Sequence, residues 1–185
     1  AQVALSLSSY FIGLAVGQIF YGPVLDRYGR KRPLYVGLAL YLLATVACIY
    51  SVNVNALITI RLFQALGGCA ASVASTAMVR DFFSPEDSAK VFSRLMLILS
   101  VSPLFAPSVG GWIVATWGWQ AIFWTLAAIT LVFSLIVILF LPEGHHPDPS
   151  ISLKPGPILA NYWLIFKDPR FFAFAVSGAF SFAAL

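Results

Sequence analysis

The sequence predicts an all-α, polytopic membrane protein, and three observations carry that reading. Hydrophobic residues make up 60% of the chain and the mean hydropathy is +0.89, more apolar surface than a water-soluble domain of 185 residues could bury. Five apolar runs, about 3–25, 33–51, 56–79, 91–116 and 119–141, are long enough to cross a hydrocarbon core of about 30 Å. Charged residues are only 10% of the chain and collect in alternate connections between those runs. Such runs must be helices, because lipid offers backbone N–H and C=O groups no partner outside the helix itself.

The first run carries Gln2, Ser6, Ser9, Gly13 and Gly17 at helical spacing, a smooth face suited to close packing against another helix, or to sliding along one. It ends in Gly22-Pro-Val-Leu-Asp26-Arg27-Tyr-Gly29-Arg30-Lys31-Arg32, which sets four cations and one carboxylate within residues 26–32. That cluster cannot lie in lipid and must cap two spans on one membrane face. The second run leads through the short uncharged turn at 51–55 into the third, which holds Arg61. Arg61, Gln64, Gly68, Ser72 and Ser75 recur at three- and four-residue steps, so a guanidinium would share one helix face with smaller polar groups. Burying that charge is costly, so it should face a wet cavity or a carboxylate. Snorkelling to the outer headgroups is the alternative.

Ser84-Pro85-Glu86-Asp87 reads as a capping box with proline at the first helical position, feeding the span from Val91. Within that span, Pro103 and Pro107 each remove a helix hydrogen bond, and Gly110 and Gly111 remove side-chain bulk. A bend with a flat, tightly packing surface is expected there. Trp112, Trp117, Trp119 and Trp124 surround the next uncharged turn as an aromatic belt would. Residues 142–170 are rich in proline and glycine and read as a linker, with His145 and His146 solvated in it. Ile158–Phe166 is apolar but too short to span and is expected at the membrane interface. Asp168-Pro169 repeats the cap-then-proline pattern before a final apolar run at 171–185.

Of the 11 Lys and Arg residues, all but Arg61 lie in or beside 26–32, 80–90 and 142–170. The positive-inside rule therefore predicts that these three connections are cytoplasmic. The same placement explains the pI near 9.3 without a nucleic-acid partner, since the cations form no stripe of their own and the lipid bilayer is the partner. Cys48 and Cys69 fall inside apolar runs and read as small buried hydrophobes, with no metal site. No H-E-x-x-H, G-x-S-x-G or phosphate-binding loop occurs, so an enzyme is not expected. The chain has no initiating Met and its last apolar run has only fifteen residues, which predicts a piece of a longer protein.

Together these segments resemble the major facilitator superfamily over essentially the whole chain. Its signature G-x-x-x-D-R-x-G-R-[RK] is met at Gly22, Asp26, Arg27, Gly29, Arg30 and Lys31. Its R-x-x-Q signature is met at Arg61 and Gln64, with Ala65 in place of a common glycine. Its antiporter signature G-x-x-x-G-P-x-x-G-G is met at Pro107, Gly110 and Gly111, with Ser102 and Ala106 in place of the first two glycines. The run from Arg61 to Ser72, with Met78-Val-Arg-Asp81, is similar to the bicyclomycin/chloramphenicol-resistance branch of drug:proton antiporters.

The resemblance implies a transporter of twelve helices, monomeric when full length, in a bacterial inner membrane. Residues 1–141 would be the second to sixth helices of the first six-helix bundle, 142–170 the cytoplasmic linker, and 171–185 the start of the second bundle. It implies expulsion of small amphipathic drugs in exchange for protons, with the two halves rocking about a central site. No cofactor is implied beyond the proton gradient. Asp26 and Arg30 would act as a latch, Arg61, Gln64 and Ser72 as the cavity and proton-coupling face, and Pro103 to Gly111 as a packing surface between the halves. All seven acidic residues lie in the charged connections, so a mid-span titratable carboxylate would have to come from outside this chain. A metabolite carrier of the same superfamily, or a non-transport scaffold, are the competing readings.

Overall fold

The computed structural model describes residues 2–142, 147–148 and 150–183. Glu143, His145 and His146 therefore lie outside the described residues. The described chain is helical and divides into two compact units, Ala1–Asp148 and Pro149–Leu185.

The first unit contains α1 (Gln2–Tyr28), α2 (Lys31–Ile49), α3 (Val54–Phe82), α4 (Pro85–Trp117) and α5 (Gln120–Phe140). All five are long and apolar enough to cross a membrane. The second unit contains α6 (Pro155–Phe166) and α7 (Pro169–Ala183), which pack on each other.

Helix starts follow local chemistry. Asn53 accepts from the Ala56 N–H at 2.7 Å to open α3. Ser84 accepts from the Asp87 N–H at 3.3 Å, with Pro85 at the first helical position of α4, as its capping pattern predicted. Asp168 likewise accepts from the Arg170 N–H at 2.9 Å as α7 begins.

The helices extend further into the charged connections than hydropathy indicated. α1 runs through Asp26 and Arg27 to Tyr28, so 26–32 is not a loop but two helix ends joined at Gly29 and Arg30. A second charged connection, 80–90, narrows in the same way to Phe83 and Ser84. A cation in the last turn, Arg27 in α1 and Arg80 in α3, favours continuation because it opposes the negative end of the helix dipole. Hydropathy reports where lipid ends, and these helices simply outlast it. The linker likewise holds helix α6 over the short apolar stretch expected at the interface.

α3 is the centre of the first unit, packed along its length against α1 and α2. Small residues make this possible. A Cβ added to Gly13 would lie 2.8 Å from the Leu62 carbonyl oxygen, and one on Gly17 would lie 2.9 Å from the Cys69 Cβ. One on Gly67 would lie 2.5 Å from the Tyr41 nitrogen and 2.7 Å from the Gly37 oxygen. Ser9 of α1 adds a hydrogen bond to the Ile58 carbonyl at 2.7 Å. Cys48 and Cys69 are fully buried and free, as small hydrophobes would be. α5 covers α2, whereas α4 makes few contacts, with α5 and the end of α3. Among its described residues only Ser88 is buried. α4 remains one unbroken helix through Pro103 and Pro107, and nothing lies within 4 Å of a Cβ placed on Gly110 or Gly111. The tight packing expected of this segment is not made among the described residues.

These contrasts give a direct test. In this 185-residue chain, Gly67→Ala should lower stability by about 1–3 kcal/mol, the usual cost of overpacking. Gly110→Ala and Gly111→Ala should be neutral, or stabilising by up to about 1 kcal/mol through helix propensity. Thermal unfolding in detergent reads both, and equal losses at Gly67 and Gly110 would contradict the α2–α3 packing described.

A candidate gate and an intramembrane cation

At one end of the bundle the turn between α1 and α2 closes through Gly29, whose φ of +82° is a left-handed conformation that strains any residue with a Cβ. The turn delivers Arg30 inward, where it is 7% exposed. Its NH1 donates to Asp26 Oδ1 at 2.6 Å, one turn back on α1. Its Nε donates to Asp81 Oδ2 at 2.8 Å, at the end of α3. One guanidinium thus ties the ends of three helices. Burial alone would lower its pKa, but the hydrogen bonds and charges of Asp81 and Asp26 outweigh this and raise it above the ordinary arginine value.

The two carboxylates differ. The Asp81 side chain is 18% exposed and that of Asp26 is 46% exposed. Beneath them Leu25, Leu34, Ala74 and Met78 form a buried apolar cluster that seats the turn. Arg27 stacks over Tyr28 at 5.7 Å. Gly22 and Lys31 flank the cluster on α1 and α2. The sequence pattern brought Asp26 and Arg30 together but left out Asp81. Asp81 enters the sequence reading only through the Met78-Val-Arg-Asp81 resemblance, with no partner assigned to it.

The second constellation lies inside the bundle. Arg61 NH1 donates to Gln64 Oε1 at 3.1 Å. Gln64 is fully buried, and its Nε2 donates to Thr45 Oγ1 at 2.8 Å. Thr45, also fully buried, donates in turn to the Tyr41 carbonyl at 2.6 Å. The Arg61 guanidinium carbon sits 4.9 Å from the Tyr10 ring centroid and 5.9 Å from that of Phe123. Among the described residues no carboxylate pairs with it. Tyr10, Thr45 and Phe123 had no sequence signal, because each reaches Arg61 or Gln64 from a different helix.

Ser72 does not join this group. It is exposed, and its carbonyl accepts from Ser75 and Thr76. Gly68 and Ser75, from the same sequence pattern, instead line a cavity of about 480 Å³ between α1, α2, α3 and α5. Tyr10, Tyr41 and Phe133 give it aromatic walls, and Thr130 is one of its few polar groups. Pro103, Pro107, Gly110 and Gly111 stand apart from both constellations, on the sparsely packed α4.

A bundle of five long apolar helices with a charged inter-helix clamp and a cation within a span is that of a multi-pass membrane protein. The Major Facilitator Superfamily profile matches residues 1–185, and the chain belongs to that family. It is 33% identical over 184 residues to a bicyclomycin resistance protein homolog of Haemophilus influenzae, covering 100% of this chain and 46% of the relative. It is 35% identical over 182 residues to an MFS-type transporter, YdgK, of Bacillus subtilis, covering 96% and 45%. It is 33% identical over 155 residues to the multidrug resistance protein MdtL of Escherichia coli, covering 84% and 40%. The chain therefore spans less than half the length of these curated relatives.

The clamp makes an asymmetric prediction. Asp81→Asn should destabilise the bundle by roughly 3 kcal/mol, because it withdraws the better-shielded anion from a buried cation. Asp26→Asn should cost about 1 kcal/mol or less, since water can replace a half-exposed partner. Thermal unfolding of the two variants measures the difference, and a larger loss for Asp26→Asn would refute the order of burial.

Proposed function

We propose that the whole protein is a secondary transporter that expels small amphipathic drugs in exchange for protons by alternating access. The observation that carries this reading is Arg61, a half-buried cation within a span, held by two aromatic faces and Gln64 without a carboxylate among the described residues. Aromatic rings hold a guanidinium without neutralising it, so its charge remains available to a protonatable or anionic group entering from elsewhere. The neighbouring apolar and aromatic cavity supports an amphipathic substrate. The resistance names of two relatives support efflux.

In this proposal the protein works as a monomer in a bacterial inner membrane, driven by the proton gradient. Residues 1–141 belong to the first bundle, 142–170 to a cytoplasmic linker and 171–185 to the second bundle, with 26–32 and 80–90 also cytoplasmic. Asp26 and Arg30 latch that face, and Pro103, Pro107, Gly110 and Gly111 offer the opposing half a flat surface.

The full-length protein, expressed in a host lacking its own drug pumps, should raise drug tolerance. In everted vesicles, adding drug should release protons from an imposed gradient. Arg61→Ala should cut that proton signal about tenfold or more, equivalent to losing about 1.4 kcal/mol of interaction specific to transport. Arg61→Lys should retain part of it, since it keeps the charge but not the planar stacking. Failure of wild type to raise tolerance to any amphipathic drug, combined with proton-linked movement of a metabolite, would replace efflux by the metabolite-carrier reading.

A further inference from the structure

We propose that α6 lies in the plane of a membrane surface and holds anionic phospholipid headgroups through Lys154, Lys167 and Arg170. The helix has twelve residues. At a rise of 1.5 Å per residue it is about 18 Å long, well short of a hydrocarbon core of about 30 Å. Lys154 and Lys167 close its two ends, so it cannot enter lipid lengthwise.

Its side chains nevertheless require an apolar phase. Leu159, Trp163, Leu164 and Phe166 are each more than 60% exposed. Within its own unit α6 packs only with α7, where the Phe166 and Phe172 rings lie 6.2 Å apart. A run of this size left in water would be an aggregation site. An interfacial position buries the large side chains in the acyl boundary and leaves the ends among headgroups.

The charges select the kind of headgroup. Lys154 occupies the N-cap position, where a helix dipole disfavours a cation, and it makes no side-chain capping bond. Helix stability therefore gives no reason for a lysine there, whereas an external anion does. At the other end Lys167 Nζ lies 5.5 Å over the Trp163 ring, which sets a cation and an indole at one level, as membrane interfaces do. Lys154, Lys167 and Arg170 are all exposed. The sole carboxylate between residues 150 and 170 is Asp168, which already accepts from the Arg170 backbone. An acidic protein groove would match the cations, but α6 offers few side chains, chiefly Asn161 and Tyr162, for the hydrogen bonds such a partner would make. The combination fits a lipid surface carrying phosphate charge.

The test uses the full chain in nanodiscs of phosphatidylcholine, alone or mixed with phosphatidylglycerol. Brominated versions of each lipid quench tryptophan, and the contribution of Trp163 is the difference between wild type and Trp163→Phe. Brominated phosphatidylglycerol should quench that component about twofold or more above brominated phosphatidylcholine, because three cations concentrate the anionic lipid locally. The triple variant Lys154→Gln, Lys167→Gln and Arg170→Gln should abolish the preference while leaving quenching itself. As a second readout, a spin label at Leu164→Cys should be reached by oxygen and shielded from a water-soluble nickel complex. The native Cys48 and Cys69 are buried and should not compete for the label. Equal quenching by the two lipids, a label open to the nickel complex, or a label shielded from both reagents by protein would each overturn the proposal. None of these readings depends on transport.

Discussion

The closeness with which α1 and α2 can approach α3 governs the rest of this structure. Between membrane helices there is no hydrophobic driving force to exploit, because the lipid is as apolar as the side chains it touches. Contact must instead come from backbones near enough for dispersion and hydrogen bonding. Gly13 and Gly17 on α1, Gly37 on α2 and Gly67 on α3 provide that proximity. The polar groups then follow from position. Only because Gly67 lets α2 lie against α3 can Thr45 meet Gln64 at 2.8 Å, and Gln64 in turn meet Arg61.

The two arginines that matter are treated in opposite ways. Arg30 sits at the rim of the bundle with two carboxylates in hand, the solution expected for a buried charge. Arg61 lies within a span, is only half-buried, and receives an amide oxygen and two ring faces. These stabilise a cation but, among the described residues, supply no counter-charge. Residues with full pairing hold a structure together, and those left short of it are where proteins keep the capacity to respond to an incoming group.

The sequence made the spans, the helix caps and the small-residue faces legible because each depends on neighbours within a turn or two. Ser84 and Asp168 act on N–H groups two or three residues ahead, within the window any local reading covers. Asn53 acts in the same way but is passed over as part of a short turn. Asp81 illustrates the other case. It pairs with Arg30 across 51 residues, and nothing near either residue announces the partner. Tyr10 and Phe123 are likewise ordinary aromatics until the fold places their rings against Arg61. Ser72 shows the converse, since a shared helical face said nothing about which part of that face an adjacent helix would cover. The packed extent of α4 was equally invisible, because proline and glycine report the capacity for close contact and not its presence.

Arg30 meets its two anions through different edges of the guanidinium, Asp81 at Nε and Asp26 at NH1. The bonds are thus separable. If the half-exposed Asp26 turns outward, Arg30 keeps Asp81 and no bare cation is stranded in the interior. If Asp81 were lost, no equally shielded partner would remain. The corner is accordingly fastened by two unequal pins, one shielded by the bundle and one open to water.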